Sequence, residues 1–274
     1  MAKGFSNKNS VLAKYLESNK KKGRLLPHLE KWALLRPDEE RDLSYLHPSS
    51  MAKSNWCYRA SYYQLNGVII PKQPVAFSRM NMFEEGHLIH DKWQRYIRDM
   101  GNLWGEWDGD SYKEVPLVHP TLPIRGMADG LVIGLGNDFL IEIKSMGAGT
   151  FRVEDYGSLV EAQGNLDDAW KDLKTPFMAH RKQALIYLGV AHDMHSHGSW
   201  YRDSPPEGAA LIYENKANQE VKEFWVDYSP VAWAGIQQQV AVVVDSVESG
   251  TPPPCNVKED GCSSCLPYDS LMKG

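Results

Sequence analysis

The fold of this chain is decided by Gly126-Met127-Ala128-Asp129 and Ile141-Glu142-Ile143-Lys144, two short segments on either side of a glycine-rich turn. Residues 124–133 are rich in apolar side chains, and residues 139–145 alternate apolar with charged side chains. Both patterns are typical of strands. Residues 134–137 between them read Gly-Leu-Gly-Asn, a strong turn signal. The sequence therefore predicts an antiparallel β-hairpin.

In such a hairpin Asp129 and Glu142 are equidistant from the centre of the turn and face each other. Directly opposed residues have Cβ atoms roughly 4.5–5.5 Å apart, and two carboxylates this close resist ionisation unless a cation lies between them. Lys144 projects from the same strand face as Glu142, whereas Ile141 and Ile143 point into a core. This arrangement can hold Mg²⁺ or Mn²⁺ and activate a water. The simpler alternative is an exposed hairpin face with an ion pair.

Length and composition indicate a soluble globular protein. The 274 residues are 42% hydrophobic and 24% charged, which is ordinary for such proteins, and the length suffices for one large domain. No segment approaches the ~18 uninterrupted apolar residues of a membrane span. The first residues lack the apolar stretch of a signal peptide, so we expect a cytoplasmic protein, in which disulfides are disfavoured.

The charge distribution divides the chain in two. Residues 1–46 are predicted to be an arm with a helix near residues 11–16, and residues 47–274 a single domain. Residues 1–24 carry seven Lys and Arg residues against one Glu, although the net charge of the chain is −5. The arm is either a solvated terminus or a nucleic-acid contact. A polyanion would have to be held by local patches and by metal.

The order of predicted elements indicates an α/β fold with a central mixed β-sheet flanked by helices. Residues 147–175 are polar and poorly periodic and are predicted to be an insertion or lid. The predicted helices cover residues 51–65, 77–100, 176–190 and 230–247. The predicted strands cover residues 113–118, 124–133, 138–145, 209–214 and 221–228.

Two predicted helices carry further polar candidates. Gly86 and His90 are four residues apart and share one face of the helix over 77–100. The missing side chain at Gly86 would let another backbone approach, and His90 could donate an imidazole nitrogen to a metal or be a hydrogen-bonded core residue. Gln183 and Tyr187 likewise share a face of the helix that Pro176 begins. The residues predicted on the buried side of the helix over 77–100 are Phe83, Trp93, Tyr96, Ile97 and Met100.

The chain has four cysteines, of which Cys255, Cys262 and Cys265 lie in its last twenty residues and Cys57 about two hundred residues earlier. The tail that contains the three is too short to build a core, so a metal must hold it. Four thiolates suit either tetrahedral Zn²⁺ or a [4Fe–4S] cluster, and spacing alone does not decide between them. A second cluster of ionisable residues, His192, Asp193, His195 and His197, is predicted to be a solvated loop.

The chain resembles the RecB-like branch of the PD-(D/E)XK nuclease superfamily over roughly residues 47–268, with Met127-Ala128-Asp129 in place of Pro-Asp. The resemblance is carried by Gly86-x-x-x-His90, Asp129, Glu142-x-Lys144 and Gln183-x-x-x-Tyr187 in this order.

This resemblance implies roles for the matching residues. His90, Asp129, Glu142 and the backbone carbonyl of Ile143 would be ligands of Mn²⁺ or Mg²⁺. Lys144 would orient the attacking water and balance developing charge. Gln183 and Tyr187 would support the site and the DNA strand.

One early cysteine followed by three at the C-terminus resembles the iron–sulfur nucleases of this branch, which include the CRISPR-associated Cas-four type, phage-encoded relatives and the AddB-type helicase–nuclease subunit. Cys57-Tyr58-Arg59 and Cys262-x-x-Cys265-Leu266-Pro267-Tyr268 match the pattern. The resemblance implies a structural [4Fe–4S] cluster on Cys57, Cys255, Cys262 and Cys265, with Zn²⁺ as the alternative.

The resulting expectation is a metal-dependent DNA exonuclease of phage or CRISPR type that acts on single strands or free ends. Its partners would be DNA and, through the family, proteins of recombination or spacer acquisition. Two alternatives stay open: a structure-specific endonuclease of the same fold, and a non-catalytic DNA- or partner-binding module.

Overall fold

The computed structural model describes residues 24–36, 42–71, 75–109 and 111–272. They divide into two compact units, which are residues 24–36 with 75–84, and the remaining described residues. In the first unit, Arg36 lies 3.8 Å from Glu84. The helix predicted near residues 11–16 lies outside the described residues.

The described residues alternate helices and short strands along the chain. The helices are α1 (Leu26–Leu35), α2 (Pro48–Met51), α3 (Tyr58–Leu65), α4 (Phe77–Asp99), α5 (Ala148–Glu154), α6 (Tyr156–Glu161), α7 (Leu166–Asp172), α8 (Met178–Ser196), α9 (Pro230–Ser249) and α10 (Leu266–Met272). The strands are β1 (Leu103–Trp104), β2 (Trp107–Asp108), β3 (Ser111–Tyr112), β4 (Val115–Val118), β5 (Arg125–Ala128), β6 (Gly130–Val132), β7 (Phe139–Met146), β8 (Gly208–Asn215) and β9 (Val221–Asp227). None of these helices combines the length and apolar character needed to cross a bilayer.

Within the described residues, the central sheet has five strands in the order β1-β6-β7-β8-β9. Strands β7 and β8 are parallel, and the other neighbouring pairs are antiparallel. Two small antiparallel ladders, β2–β3 and β4–β5, accompany it. The predicted α/β class with a mixed sheet flanked by helices is confirmed.

Both faces of β7 are buried, as expected for a strand with a parallel neighbour. Ile141 and Ile143 pack on one face in a cluster with Ile89 of α4. Leu140 and Met146 belong to the larger core on the other face, which includes residues of α8 and α9. The two charged residues of β7, Glu142 and Lys144, therefore lie at the larger core and need partners there.

The last long helix begins where the sequence predicts. Ser229 precedes α9, and its side-chain oxygen accepts a hydrogen bond from the Ala232 backbone N–H at 3.2 Å. Pro230 occupies the first turn, where the missing N–H costs nothing. The predicted hairpin of residues 209–214 and 221–228 is also confirmed as β8–β9.

The single helix predicted over residues 51–65 is wrong, because the chain extends between α2 and α3. Cys57 has φ −104° and ψ 116°, which are extended values, and its sulfur accepts from the Ala60 N–H at 3.5 Å. The cysteine is thus the N-cap of α3. This position turns its side chain toward the C-terminal cysteines, with which it forms a buried cluster.

The predicted insertion or lid at residues 147–175 forms three short helices, α5, α6 and α7. Each of these short helices inserts one or two apolar anchors into the larger core, which are Phe151, Leu159, Ala169 and Trp170. Anchors spread over three separate helices leave no periodic signal in the sequence. The segment is therefore part of the packed domain.

The predicted buried side of α4 is partly wrong. Tyr96 and Met100 are 49% and 64% exposed, and Phe83 is exposed as well. A narrow stripe of α4 at i, i+4 and i+8, namely Ile89, Trp93 and Ile97, packs against the apolar cluster on the sheet.

Two helical glycines provide a matched pair of stability predictions. A Cβ at Gly189 of α8 would lie 2.1 Å from Trp233 Cδ2, so Gly189→Ala forces the buried indole to move. We expect a loss of about 1–3 kcal/mol in the free energy of unfolding. A Cβ at Gly235 of α9 meets nothing within 4 Å, so Gly235→Ala should gain about 0.5–1 kcal/mol through helix propensity. Urea unfolding of both variants measures this, and effects of the same sign would contradict the packing described.

Candidate active site

The predicted strand 124–133 is two strands, β5 and β6, that are interrupted at Asp129. Strand β5 pairs with β4 so that Val115 lies opposite Ala128, and β6 pairs with β7 so that Gly130 lies opposite Ile141. Continuing each register by one residue places Glu114 and Glu142 opposite Asp129. Two hairpins thus bring one acid each to a third acid at their junction.

Asp129 is held from three sides and is 6% exposed. Its Oδ1 lies 3.3 Å from Nδ1 of His90, and its Oδ2 accepts the Ile143 backbone N–H at 2.5 Å. Gln94 Nε2 donates to its backbone carbonyl at 2.8 Å. The Ile143 amide therefore bonds to a side chain at this position, which explains why the strand is interrupted.

Glu142 is 2% exposed, and its two oxygens have different surroundings. Lys144 Nζ donates to Oε1 at 2.5 Å, and Gln183 Nε2 donates to the same oxygen at 2.7 Å. The second oxygen, Oε2, is buried and has no hydrogen-bond partner among the described residues. An unsatisfied buried carboxylate oxygen is costly, and a cation would satisfy it.

Gln183 and Tyr187 of α8 complete the polar group at Glu142. Gln183 Oε1 accepts from Lys144 Nζ at 3.2 Å, and Gln183 Nε2 donates to the Tyr187 hydroxyl at 3.0 Å. Tyr187 lies against β5, where a Cβ at Gly126 would approach its Cε1 to 2.7 Å. A glycine is required at position 126 for this contact.

Glu114 is a site residue that the sequence analysis missed. Ligand atoms of His90, Glu114 and Asp129 all lie within 4.8 Å of one another. Glu114 and Asp129 are equidistant from the middle of the 119–124 turn, but this turn contains no glycine that would set the register in the sequence. Glu142, which is predicted to be a ligand, does not belong to this group of three; it lies opposite Asp129 in the continued register of β6 and β7, with its Oε2 unpartnered among the described residues.

The electrostatics of the group favour a bound cation. Burial raises the pKa of Glu114 to about 7, and the nearby charge of Asp129 adds to this effect. Burial and the same charge raise the pKa of Glu142 to about 7. Burial acts to lower the pKa of Lys144, but the charges of Glu142 and Asp129 outweigh it and raise that pKa. Two carboxyls that resist ionisation without an ion would ionise beside one.

The donor set fits Mg²⁺ or Mn²⁺, since hard oxygen ligands suit both ions and an imidazole suits Mn²⁺ somewhat better. A cavity of about 480 Å³ is lined by two of the candidate donors, His90 and Glu114, together with residues that include Gln94 and Tyr112. The close backbone approach predicted at Gly86 is wrong, because a Cβ there would meet only Ser145 Oγ at 3.6 Å.

The four cysteines converge. Their sulfur atoms lie within 4.8 Å of one another, and none of them forms a disulfide. The Cys57–Cys255 and Cys262–Cys265 sulfur pairs are each 3.8 Å apart. Four thiolates around one ion with bonds of about 2.3 Å have this spacing. A [4Fe–4S] cluster is larger, so it would require the sulfurs to move apart.

Side chains around the cysteines join the early segment to the tail. Asn256 Nδ2 donates to the Trp56 carbonyl at 2.9 Å, and its Oδ1 accepts the Tyr58 N–H at 2.8 Å. Asp269 of α10 accepts a hydrogen bond from the Tyr63 hydroxyl at 2.8 Å and forms an ion pair with Arg59 Nε at 3.0 Å. These contacts lie on both sides of Cys57.

The prediction of a solvated loop at His192, Asp193, His195 and His197 is wrong, because α8 continues to Ser196. Asp193 Oδ2 accepts from His119 Nε2 and Trp233 Nε1, each at 2.9 Å, and from Gln237 at 3.0 Å. His192 stacks on Tyr228 with ring centroids 3.6 Å apart. Asp193 is therefore a structural link between α8 and α9.

The buried His180, near Lys144, should make the stability of the protein depend on pH. Burial and the Lys144 charge lower the pKa of His180 to about 3, and its Nδ1 accepts from the Tyr213 hydroxyl at 2.6 Å. The unfolded histidine titrates near 6.5, so this contribution to stability is complete above about pH 6.5 and is lost as the pH falls.

Between about pH 6.5 and about pH 5, we expect the free energy of unfolding of wild type to fall by about 2 kcal/mol relative to that of His180→Asn. This variant keeps an acceptor for the Tyr213 hydroxyl but does not titrate. Urea unfolding across this range measures the difference. Parallel pH profiles of the two proteins would contradict the neutral, buried histidine.

Comparisons with known proteins give distant likenesses. No protein-family model and no curated protein matches the chain. The solved structure of SSO0001 is 16% identical, with 81% of this chain and 87% of that chain covered and a TM-score of 0.40.

The alkaline exonuclease LHK-Exo from Laribacter hongkongensis is 14% identical, with coverages of 82% and 93% and a TM-score of 0.41. Its complex with dAMP is 15% identical, with coverages of 76% and 90% and a TM-score of 0.42. At such low sequence identities and TM-scores, none of these likenesses assigns a function to this chain.

Proposed function

We propose that this chain is a metal-dependent deoxyribonuclease of the PD-(D/E)XK type, an exonuclease that hydrolyses phosphodiester bonds of single strands or DNA ends. The observation that carries the proposal is the junction at Asp129, where Glu114 and Glu142 lie opposite one acid and Glu142 Oε2 has no partner among the described residues. Three carboxylates beside one lysine repel one another without stabilising the fold. A divalent cation between them would remove this repulsion.

His90, Asp129 and Glu142 would hold Mn²⁺ or Mg²⁺, with Glu114 beside them and the Ile143 carbonyl as the ligand that the resemblance adds. When bound, the ion supplies Lewis acidity and lowers the pKa of a water, as phosphodiester hydrolysis requires at neutral pH. The protein contributes the fixed positions of these oxygens, because Ile143 and Gln94 hold Asp129.

Lys144 positions the nucleophile and balances charge. Its pKa is raised by the charges of Glu142 and Asp129 despite burial, so the side chain is an ammonium group at neutral pH. Gln183 bonds both to this ammonium and to Glu142, and it therefore fixes their relative orientation. Tyr187 holds Gln183 and supports the site through it.

The four cysteines would carry a structural metal centre. The arrangement of cysteines along the chain favours a [4Fe–4S] cluster, and the sulfur spacing favours a single Zn²⁺. Metal analysis of anaerobically purified protein separates them: iron with sulfide and visible absorption indicates the cluster, and one colourless zinc per chain indicates the ion. Either centre ties the C-terminal tail to α3.

The residue pattern also suggests a cellular setting for this activity. We propose a cytoplasmic protein of a phage or CRISPR-type pathway, with protein partners in recombination or spacer acquisition.

A cleavage assay tests the proposed function. End-labelled linear single strands and circular single strands are incubated with Mn²⁺, with Mg²⁺ and with a chelator. We expect divalent-dependent shortening of linear strands from an end and intact circles. Cut circles would replace the exonuclease by the endonuclease alternative. DNA binding without cleavage by any divalent ion would overturn the enzyme assignment in favour of a binding module.

A further inference from the structure

A second cavity adjoins the candidate active site. It has a volume of about 840 Å³ and shares Glu114 and Met127 with the cavity that contains His90. Ligand pockets are usually about 300–1,000 Å³, so the space admits a nucleoside. Because Glu114 lines both cavities, a ligand in the second cavity would lie beside a phosphate bound at the acids.

Two aromatic side chains, Trp104 and Tyr201, form part of the wall of this second cavity. Trp104 and Tyr201 stack with ring centroids 5.1 Å apart and an interplanar angle of 29°. The Tyr201 hydroxyl donates to the Pro116 carbonyl at 2.7 Å, and the Tyr112 hydroxyl donates to the Trp104 carbonyl at 2.6 Å. These bonds fix the pair, while 39% of Tyr201 stays exposed.

Polar groups lie at the edge of the same cavity. Lys113 Nζ pairs with Glu106 at 3.2 Å, and both side chains are mostly exposed. Val115, Pro116 and Met127 provide apolar lining. Glu106 and Glu114 line the cavity as well, so it is the apolar and aromatic part of the lining that matches a ligand, and this part suits a nucleobase.

We propose that this aromatic cleft, formed by Trp104, Lys113, Pro116, Met127 and Tyr201, binds the base of the nucleotide adjoining the phosphodiester to be cleaved. The proposal rests on the proposed function, because the phosphate is placed by the acids. Stacking on an aromatic ring accepts every base. The cleft therefore positions a strand without reading its sequence.

Binding measured without added divalent ion tests the cleft separately from catalysis. A fluorescent single-stranded oligonucleotide is titrated with wild type, Tyr201→Ala and Tyr201→Phe. We expect roughly tenfold weaker binding by Tyr201→Ala, the size of one lost base stack. Tyr201→Phe keeps the ring and should bind within about twofold of wild type, since only the hydrogen bond to Pro116 is lost. Equal binding by all three proteins, with unfolding midpoints that show intact folding, overturns the proposal.

Abasic strands provide the second arm. A series of linear strands, each lacking one base near the cleaved end, is given to wild type and Tyr201→Ala with Mn²⁺. At one position the missing base should slow wild type roughly tenfold and leave Tyr201→Ala unaffected, because the stacking partner is already gone. Equal slowing of both proteins overturns the cleft while the nuclease function stands. If no strand is cut, the nuclease function is overturned, and the binding titration with the Tyr201 variants then tests the cleft by itself.

Discussion

Asp129→Asn is expected to lower divalent-dependent DNA cleavage by roughly 10³-fold or more, since the ion at this site contributes several kcal/mol to the transition state. The substitution keeps the shape of the side chain and an oxygen that can accept the Ile143 N–H. It removes the charge that Glu114 and Glu142 face. Initial rates on an end-labelled strand at fixed Mn²⁺ measure the loss.

The matched control for this variant is Asp99→Asn. Asp99 ends α4 on the surface and pairs only with its neighbour Arg98 among the described residues. It should cleave at the wild-type rate. Substantial activity in Asp129→Asn, with the thermal midpoint unchanged, would contradict the assignment of Asp129 as a ligand.

Cys265→Ser should release the metal centre and lower the free energy of unfolding by about 5 kcal/mol, the chain-entropy value for a cross-link that closes a loop of this size. Cys57 and Cys255, which the centre joins, are 198 positions apart. For a domain of this length the thermal midpoint should fall by about 10 °C or more. Metal content and differential scanning calorimetry measure both effects.

Ser263→Ala is the control, since Ser263 lies between two of the cysteines and is exposed. It should keep the metal and the wild-type midpoint. A Cys265→Ser protein that loses its metal but unfolds at the wild-type temperature would show that the centre does not hold the tail. Such a result would favour a role for the centre other than a clamp.

The hairpin register was predictable because its information is local. The Gly-Leu-Gly-Asn turn sets the pairing, and Gly130 lies opposite Ile141 as the turn centre requires. The i, i+4 relation of Gln183 and Tyr187 is local in the same way, and the two side chains bond to each other. Periodicity and turn chemistry act over a few residues, so the sequence displays them directly.

Glu114 was missed for a definable reason. Its hairpin turns through His119-Pro120-Thr121-Leu122-Pro123-Ile124, which lacks the glycine signal of the other turn and leaves the register of β4 unspecified. With that register set by the observed pairs, the position opposite Asp129 is unambiguous. The interruption of the strand at Asp129 depends on a side chain that bonds to β7, which no local pattern reports.

The helix errors have a non-local origin. The chain between α2 and α3 is extended because Cys57 reaches cysteines about two hundred residues away, and helix propensity contains no trace of that contact. The core role of residues 147–175 was hidden because Phe151 and Trp170 anchor separate helices. In both cases tertiary contacts override the local signal.

The most direct test is the position of Mn²⁺ in crystals of the protein soaked with that ion. The anomalous difference map should show a peak in direct contact with Asp129 and His90, within reach of Glu142 Oε2. A peak confined to other surfaces, or no peak at saturating Mn²⁺ while Asp129 and Glu142 keep the positions described, would contradict the shared metal on which the nuclease assignment depends.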